Sequence, residues 1–174
     1  IGVATGEICY NTGMTGYQEI YTDPSYFGQI IINTSSHIGN YGTVEDEQES
    51  SSPQISGVII NEYSEIYSRS NSDESLEDYF IKNNTVAIYD IDTRKLVKYI
   101  RDKGAMNAII SSESQDVEKL KSSLDKVPSM KNLELSSKVT TEKEYEFGDK
   151  NSKIKIAVLD LSLIHISEPT RRLS

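Results

Sequence analysis

The 174-residue sequence has no tryptophan, one cysteine and two histidines, and these scarcities restrict its chemistry. The single cysteine, Cys9, excludes an internal disulfide and is typical of a reducing compartment, so we expect a cytoplasmic protein. No apolar run approaches the roughly 20 residues of a membrane span. Lysine and arginine total 18 against 27 acidic residues, which gives a net charge of −9. We therefore expect the chain to bind neither nucleic acid nor a membrane surface through clustered cations.

Patterns typical of phosphate or metal sites are also missing. There is no P-loop, no Gly-x-Gly-x-x-Gly string and no zinc pattern, so we predict no metal site. His37 lies in a loop and could act as a base or a ligand. It has no second ligand at metal spacing, which favours a hydrogen-bonding loop residue. Cys9 lies within a predicted strand without a glycine-rich elbow, which favours a small core residue over a nucleophile.

Apolar runs and turn residues alternate along the chain. A helix opens at Ser72 or Asp73, buries Leu76, Tyr79 and Phe80, and ends at residues 83–84. Asp92 is a natural N-cap for a helix over 93–103, which Gly104 ends, and a third helix covers about 115–126. The predicted strands are residues 7–12, 28–34, 54–63, 85–90 and 106–111. This interleaving predicts an α/β domain over residues 1–127.

The C-terminal third changes character. Residues 128–152 are rich in serine, lysine and glutamate without periodicity, and we predict a linker there. Residues 153–160 (KIKIAVLD) are typical of a buried strand, which would be the first strand of a further domain.

Two sets of polar side chains leave alternatives open. Asp90 and Asp92 could present paired carboxylates, or Asp92 could cap a helix while Asp90 pairs with Arg94 or Lys95, and we favour the second reading. Residues 11–26 (NTGMTGYQEIYTDPSY) combine turn formers, hydroxyls and tyrosines, which predicts a functional loop. In that loop Ser25 follows Asp-Pro and lacks the Gly-x-Ser-x-Gly elbow, so it is a turn hydroxyl or a ligand-binding hydroxyl.

Several long strings resemble one known family. They are GEICYNTGMTGYQEIYTDPSYFGQI, HIGNYG, the ESS of residues 49–51 and AIYDIDTRKLVKYIRDKGAMNAII. In order and spacing, from Gly6 to Ile110, they resemble the N-terminal domain of the small, glutamine-hydrolysing subunit of carbamoyl-phosphate synthetase. KIKIAVLD resembles the first strand of that subunit's class I glutamine amidotransferase domain.

The resemblance implies a three-layer β/β/α sandwich of the swivelling type. It implies an intact subunit that hydrolyses glutamine and supplies ammonia to a large subunit, which uses ATP and Mg. The product, carbamoyl phosphate, serves pyrimidine and arginine synthesis. The serine of the DPSY string, Ser25 here, is implied to bind L-glutamine. The resemblance implies no cofactor in this chain itself.

The departures from the family define what this chain lacks. The family's nucleophilic cysteine, in a Gly-x-Cys-x-Gly elbow, and its His and Glu partners are absent, and Cys9 does not match them. We expect the chain to be cut at both ends, with its first strand missing and residues 161–174 foreign, so His165 belongs to no site. Alone, it is predicted to be an inactive docking domain. The alternatives are a stand-alone interaction module and a Ser25-dependent hydrolase.

Overall fold

The computed structural model of the chain describes residues 2–141, 143–149 and 151–159. These residues form a mixed α/β fold around one five-stranded sheet. The strands are β1 (Val3–Asn11), β2 (Ile30–Asn33), β3 (Gly57–Ile59), β4 (Val86–Ile88) and β5 (Asn107–Ser111). Their order in the sheet is β4-β3-β2-β1-β5. Strands β1 to β4 run parallel, and β5 is antiparallel to β1.

Strand β1 is long enough to have two different neighbours. Residues 8–11 pair with β2 in parallel register, whereas residues 3–7 pair with β5 in antiparallel register. The strand therefore joins a parallel sheet to an antiparallel pair. The prediction that this strand covers residues 7–12 captured only the half that pairs with β2.

The two inner strands of the parallel sheet, β2 and β3, are buried on both faces, whereas Ala87 and Ile88 of the edge strand β4 are exposed. All four residues of β2 are buried, as expected of a central parallel strand that reads as a continuous apolar run. Successive side chains point to opposite faces, so Ile31 packs in one core cluster while Ile30 and Ile32 pack in the other. The first cluster contains Tyr17, Tyr21, Ile31, Ile38, Ile55, Val58, Ile60, Leu76, Tyr79 and Phe80. The second contains Ala4, Ile8, Ile30, Ile32, Ile59, Ile100 and Ile110.

The helices Tyr17–Thr22 and Leu76–Lys82 contribute residues to the first cluster, and the helix Thr93–Lys103 contributes Ile100 to the second. The α-helices among the described residues are α1 (Tyr17–Thr22), α2 (Leu76–Lys82), α3 (Thr93–Lys103), α4 (Val117–Leu124) and α5 (Ser136–Val139). The predicted buried stripe of α2 is confirmed, and the Ser75 side chain caps the helix by accepting from the Asp78 N–H. The predicted start of α2 at Ser72 or Asp73 is wrong, since the helix begins at Leu76, whereas the predicted bounds of α3 are confirmed. Asp92 accepts from the Lys95 N–H at 2.9 Å, and Gly104 ends the helix at a φ of 86°.

Helix α1 lies where the sequence predicts only a loop. It has six residues, and its N-cap residue, Gly16, has no side chain with which to cap it. Such a helix carries no local start signal, so sequence reasoning missed it. Gly57, in β3, pairs with Val86 in regular register. A Cβ atom there would lie 3.0 Å from the Val86 oxygen, which accounts for the glycine.

Helix α4 is less buried than α2 and α3. Leu120 and Leu124 are half-buried, whereas Val117, three residues before Leu120, is exposed. The helix therefore lies at the margin of the core.

The chain divides into two units, of which the second begins at Glu134. Residues 153–159, predicted to form a buried strand, have no regular secondary structure, and Ile156 is 81% exposed. A strand becomes stable by hydrogen bonding to neighbouring strands, and no strand among the described residues pairs with this segment. Asp160, which ends the predicted strand, lies outside the described residues. So does the tail 161–174, which contains His165.

Candidate functional site

The predicted site residue, Ser25, lies on a short 3-10 turn, Pro24–Tyr26. The Asp23 carboxylate accepts the Ser25 N–H at 2.8 Å, and Pro24 occupies the first helical position. The Phe27 N–H closes the turn by donating to the Pro24 oxygen at 3.1 Å. Ser25 is exposed, and its hydroxyl makes no hydrogen bond within the part of the chain that the structure describes. A fixed backbone thus presents a free hydroxyl, which can both donate and accept.

The segment around Ser25 is held at both ends by one residue. The backbone N–H of Gln54 donates to the backbone oxygen of Tyr21 at 2.8 Å. The backbone oxygen of Gln54 accepts from the backbone N–H of Gly28 at 2.9 Å. Gly28 has a φ of 72°, a left-handed conformation that glycine adopts without strain. Gly6 lies against it, and a Cβ on Gly6 would collide with the Gly28 oxygen. The segment therefore closes as a compact loop over the start of β2.

Helix α1, which leads into this turn, is capped from a distance. The Tyr41 hydroxyl accepts the Gly16 and Tyr17 N–H groups at 2.7 and 3.0 Å. The Tyr17 and Tyr41 rings stack with centroids 4.1 Å apart, and the Tyr17 hydroxyl donates to the Gly42 oxygen at 2.6 Å. Burial raises the pKa of Tyr41, so its hydroxyl stays protonated at neutral pH. The tyrosine pair fixes the start of α1.

An ion pair covers this tyrosine pair. Arg69 binds both carboxylate oxygens of Glu47, at 2.8 and 2.9 Å, and its Cζ lies 5.4 Å from the Tyr41 ring centre. Planar two-pronged contacts of this kind fix orientation better than a single bond. Sequence reasoning missed this cluster because Tyr17, Tyr41, Glu47 and Arg69 lie in four separate segments of the chain, and no local pattern joins them.

Comparison with known proteins identifies the family of this chain. Residues 1–110 match the carbamoyl-phosphate synthase small chain, CPSase domain. The chain belongs to this family. Relatives named carbamoyl phosphate synthase small chain occur in Synechococcus sp. (44% identical over 87% of this chain and 39% of the relative) and Chlorobaculum tepidum (41%, over 93% and 44%). A third, from Aquifex aeolicus, is 40% identical over 93% of this chain and 47% of its own length. The chain thus spans less than half the length of these small chains.

Cys9 in this small-chain domain is a packed residue, as predicted. It lies in β1, and its Sγ is 3.6 Å from Oε1 of Gln29. Burial, with a smaller contribution from Glu7, raises the pKa of Cys9 to about 11. A cysteine attacks as its thiolate, so this protonated thiol is a poor nucleophile near neutral pH.

The other polar candidates have structural positions. His37 lies in a loop with Nδ1 3.4 Å from the Glu62 carboxylate, and both side chains are more than half exposed. Asp92 is the N-cap of α3, as predicted. The expected pairing of Asp90 with Arg94 or Lys95 is wrong for the described residues, where neither forms an ion pair with it. Asp90 has a φ of 65°, so the backbone turns there before the helix begins.

The domain also has a cleft of about 480 Å³ beside α2 and β4. Ile60, Phe80 and Ala87 contribute apolar walls, and the Tyr63 and Tyr89 rings, 5.9 Å apart, line it as well. Ser25 does not line this cleft.

Within residues 2–141, 143–149 and 151–159, no group of three or more His, Cys, Asp or Glu side chains is arranged to hold a metal ion. No helix in the same residues has the length and apolar character needed to cross a membrane.

Proposed function

We propose that this chain is the N-terminal, non-catalytic domain of a glutamine-hydrolysing carbamoyl-phosphate synthase subunit. In this proposal the intact subunit hydrolyses L-glutamine and passes ammonia to a large subunit. The large subunit uses ATP and Mg to make carbamoyl phosphate for pyrimidine and arginine synthesis. The observation that supports this is the family match over residues 1–110, in a chain spanning 39 to 47% of its relatives.

Within that function, Ser25 contributes one wall of the glutamine site. Its hydroxyl is exposed and free of hydrogen bonds to the described residues, while its backbone is fixed by the Asp23 carboxylate. A hydroxyl of this kind can hydrogen-bond the amide or the charged groups of glutamine without first breaking an internal bond. Ser25 therefore binds substrate and does not attack it.

The attacking group lies in another part of the longer polypeptide. Glutamine hydrolysis of this class needs a thiolate activated by a neighbouring base. Cys9 is protonated at neutral pH and contacts Gln29, with no basic group bonded to it among the described residues. This domain supplies binding and docking, and the rest of the subunit supplies the chemistry.

The fold that supports this role is a three-layer β/β/α sandwich of the swivelling type. The division of β1 between a parallel sheet and an antiparallel pair supports two β layers, and helices α1 and α2, which pack on one face of the parallel sheet, support the third. Residues 153–160 are the first strand of the amidotransferase domain and pair once the rest of that domain is present.

Two measurements test the proposal. The purified 174-residue chain should release no glutamate from glutamine, and measurable hydrolysis would overturn the assignment of a non-catalytic domain. In the full-length subunit, Ser25→Ala should raise the KM for glutamine about 2- to 10-fold, which is the effect of losing one hydrogen bond. Ser36→Ala, which removes another exposed hydroxyl, is the matched control. An unchanged KM in the Ser25 variant would refute its binding role.

A Ser25-dependent hydrolase is the alternative that the exposed hydroxyl raises. It requires an oriented base, and Ser25 has no such hydrogen bond to any residue that the structure describes. Labelling of the chain by a fluorophosphonate probe, abolished by Ser25→Ala, would establish the alternative. Absence of labelling supports the binding role.

A further inference from the structure

Helix α3 concentrates positive charge in an acidic protein. Five of its 11 residues are lysine or arginine, and Asp102 is its one acidic residue. The rest of the chain carries 13 cations against 26 acidic residues. The five cations of α3 are Arg94, Lys95, Lys98, Arg101 and Lys103.

All five cationic side chains are exposed, and none forms an ion pair with another described residue. The opposite side of the helix is occupied, because Ile100 is buried in the second core cluster with Leu96 and Val97 packed against it. Arg94, Lys98 and Arg101 follow one another at spacings of four and three residues, which places them on one face. We call these three residues the basic stripe.

Helix stability does not account for this arrangement. Arg101 and Lys103 lie in the last turn, where cations suit the helix dipole. Arg94 and Lys95 lie in the first turn, at the positive end of the dipole, where cations are unfavourable. Like charges four residues apart, such as Arg94 and Lys98, also repel each other.

We propose that the basic stripe is a docking surface for an acidic protein face. Resting on the function proposed above, we assign that face to the large subunit. Arginine is enriched among residues that dominate binding energy at protein interfaces, and a cation without an ion pair to the described residues keeps its charge available for a partner.

Two other classes of partner fit less well. Nucleic acid binding needs cations at many successive phosphates, and this acidic chain offers three in the stripe. An amphipathic helix binds a membrane by inserting its apolar face, and the apolar face of α3 is already packed against the core.

The test compares two charge-reversal variants of the 174-residue chain. Arg94→Glu, Lys98→Glu and Arg101→Glu together reverse the basic stripe. The matched control reverses Lys119, Lys126 and Lys131, which are equally exposed and free of ion pairs to described residues. Both variants change the net charge equally. Glutamate at position 94 suits the first turn of α3, so the stripe variant should fold, and its thermal melting by circular dichroism checks this.

Binding is measured against the purified large subunit of carbamoyl-phosphate synthase from the same source, at low and high salt. We expect the stripe variant to bind at least about tenfold more weakly, and the control within about twofold of the wild type. The wild-type affinity should fall with salt more steeply than that of the stripe variant.

Each contrary outcome refutes a distinct claim. If the wild-type chain binds no large subunit, the docking function fails and this inference fails with it. If the wild type binds and the stripe variant binds equally well, only this inference fails. If both variants lose the same amount of binding affinity, the net charge explains the binding and the inference is overturned. Stripe-dependent binding to a short DNA duplex at comparable affinity would overturn the choice of an acidic protein partner.

Discussion

Removing the Tyr41 hydroxyl should lower the free energy of unfolding more than removing any other tyrosine hydroxyl near α1. It accepts two backbone N–H groups, from Gly16 at 2.7 Å and from Tyr17 at 3.0 Å. Tyr41→Phe keeps the ring stacked on Tyr17 and deletes only the acceptor. Two helix-terminal donors then lose their partner in a partly buried setting. At about 1 kcal/mol for each lost bond, the free energy of unfolding should fall by about 2 kcal/mol.

Two further tyrosines provide a graded comparison. Tyr17→Phe removes one hydrogen bond, to the Gly42 oxygen, and should cost about 1 kcal/mol. Tyr99→Phe alters an exposed hydroxyl and should stay within about 0.5 kcal/mol of the wild type. The assay is urea unfolding of the 174-residue chain followed by circular dichroism, with the slope m unchanged among the variants.

The order of the three losses is the decisive result. A cost below about 0.5 kcal/mol for Tyr41→Phe would mean that water replaces the hydroxyl, and the proposed distant cap would be refuted. A larger cost for Tyr17→Phe than for Tyr41→Phe would refute it as well. Native-state hydrogen exchange should locate the effect, because the amides of α1 should exchange faster in the Tyr41 variant.

Three other predictions concern the core. Leu76→Ala should lower the free energy of unfolding by about 2–5 kcal/mol, because Leu76 is fully buried; Leu133→Ala, at an exposed site, should cost much less, and equal costs would contradict the packing. Cys9 in the folded chain should react with iodoacetamide far more slowly at pH 8 than in the urea-unfolded chain, since its pKa is raised to about 11; equal rates would contradict the burial. Burial also raises the pKa of Tyr21, so folding favours its neutral form. This contribution of Tyr21 to the free energy of unfolding is complete at pH values below the ordinary tyrosine pKa of about 10 and is lost as the pH rises above it. The urea midpoint should therefore fall at alkaline pH, and it should fall less steeply in Tyr21→Phe. Identical plots of urea midpoint against pH for the two proteins would refute this prediction.

Elements with a complete local signal were predicted well. Helix α3 has a capping aspartate at 92, an apolar side toward the core and a terminating glycine at 104, and its predicted bounds of 93–103 are those observed. Strand β2 lies within the predicted range 28–34, because an isoleucine run indicates a strand buried on both faces. Signals of this kind lie within a few residues, so a sequence reveals them.

Elements that depend on distant residues were not predictable. Helix α1 begins at a glycine that cannot cap it, and its cap, Tyr41, lies 25 residues away along the chain. The two hydrogen bonds of Gln54 that close the loop around Ser25 are equally non-local. Residues 153–159 show the opposite case, in which a strong strand pattern forms no strand because none among the described residues pairs with it.

For the site itself, the family strings, the position of Ser25 after Asp-Pro and the concentration of cations between residues 93 and 103 can be read directly from the sequence. Three other properties follow only from the folded chain. The Ser25 hydroxyl makes no hydrogen bond to the described residues, burial raises the pKa of Cys9, and the α3 cations form no ion pair with any residue that the structure describes. The physical reason is that hydrogen bonding, desolvation and ion pairing depend on which residues meet in space, whereas capping and apolar periodicity depend only on neighbours along the chain.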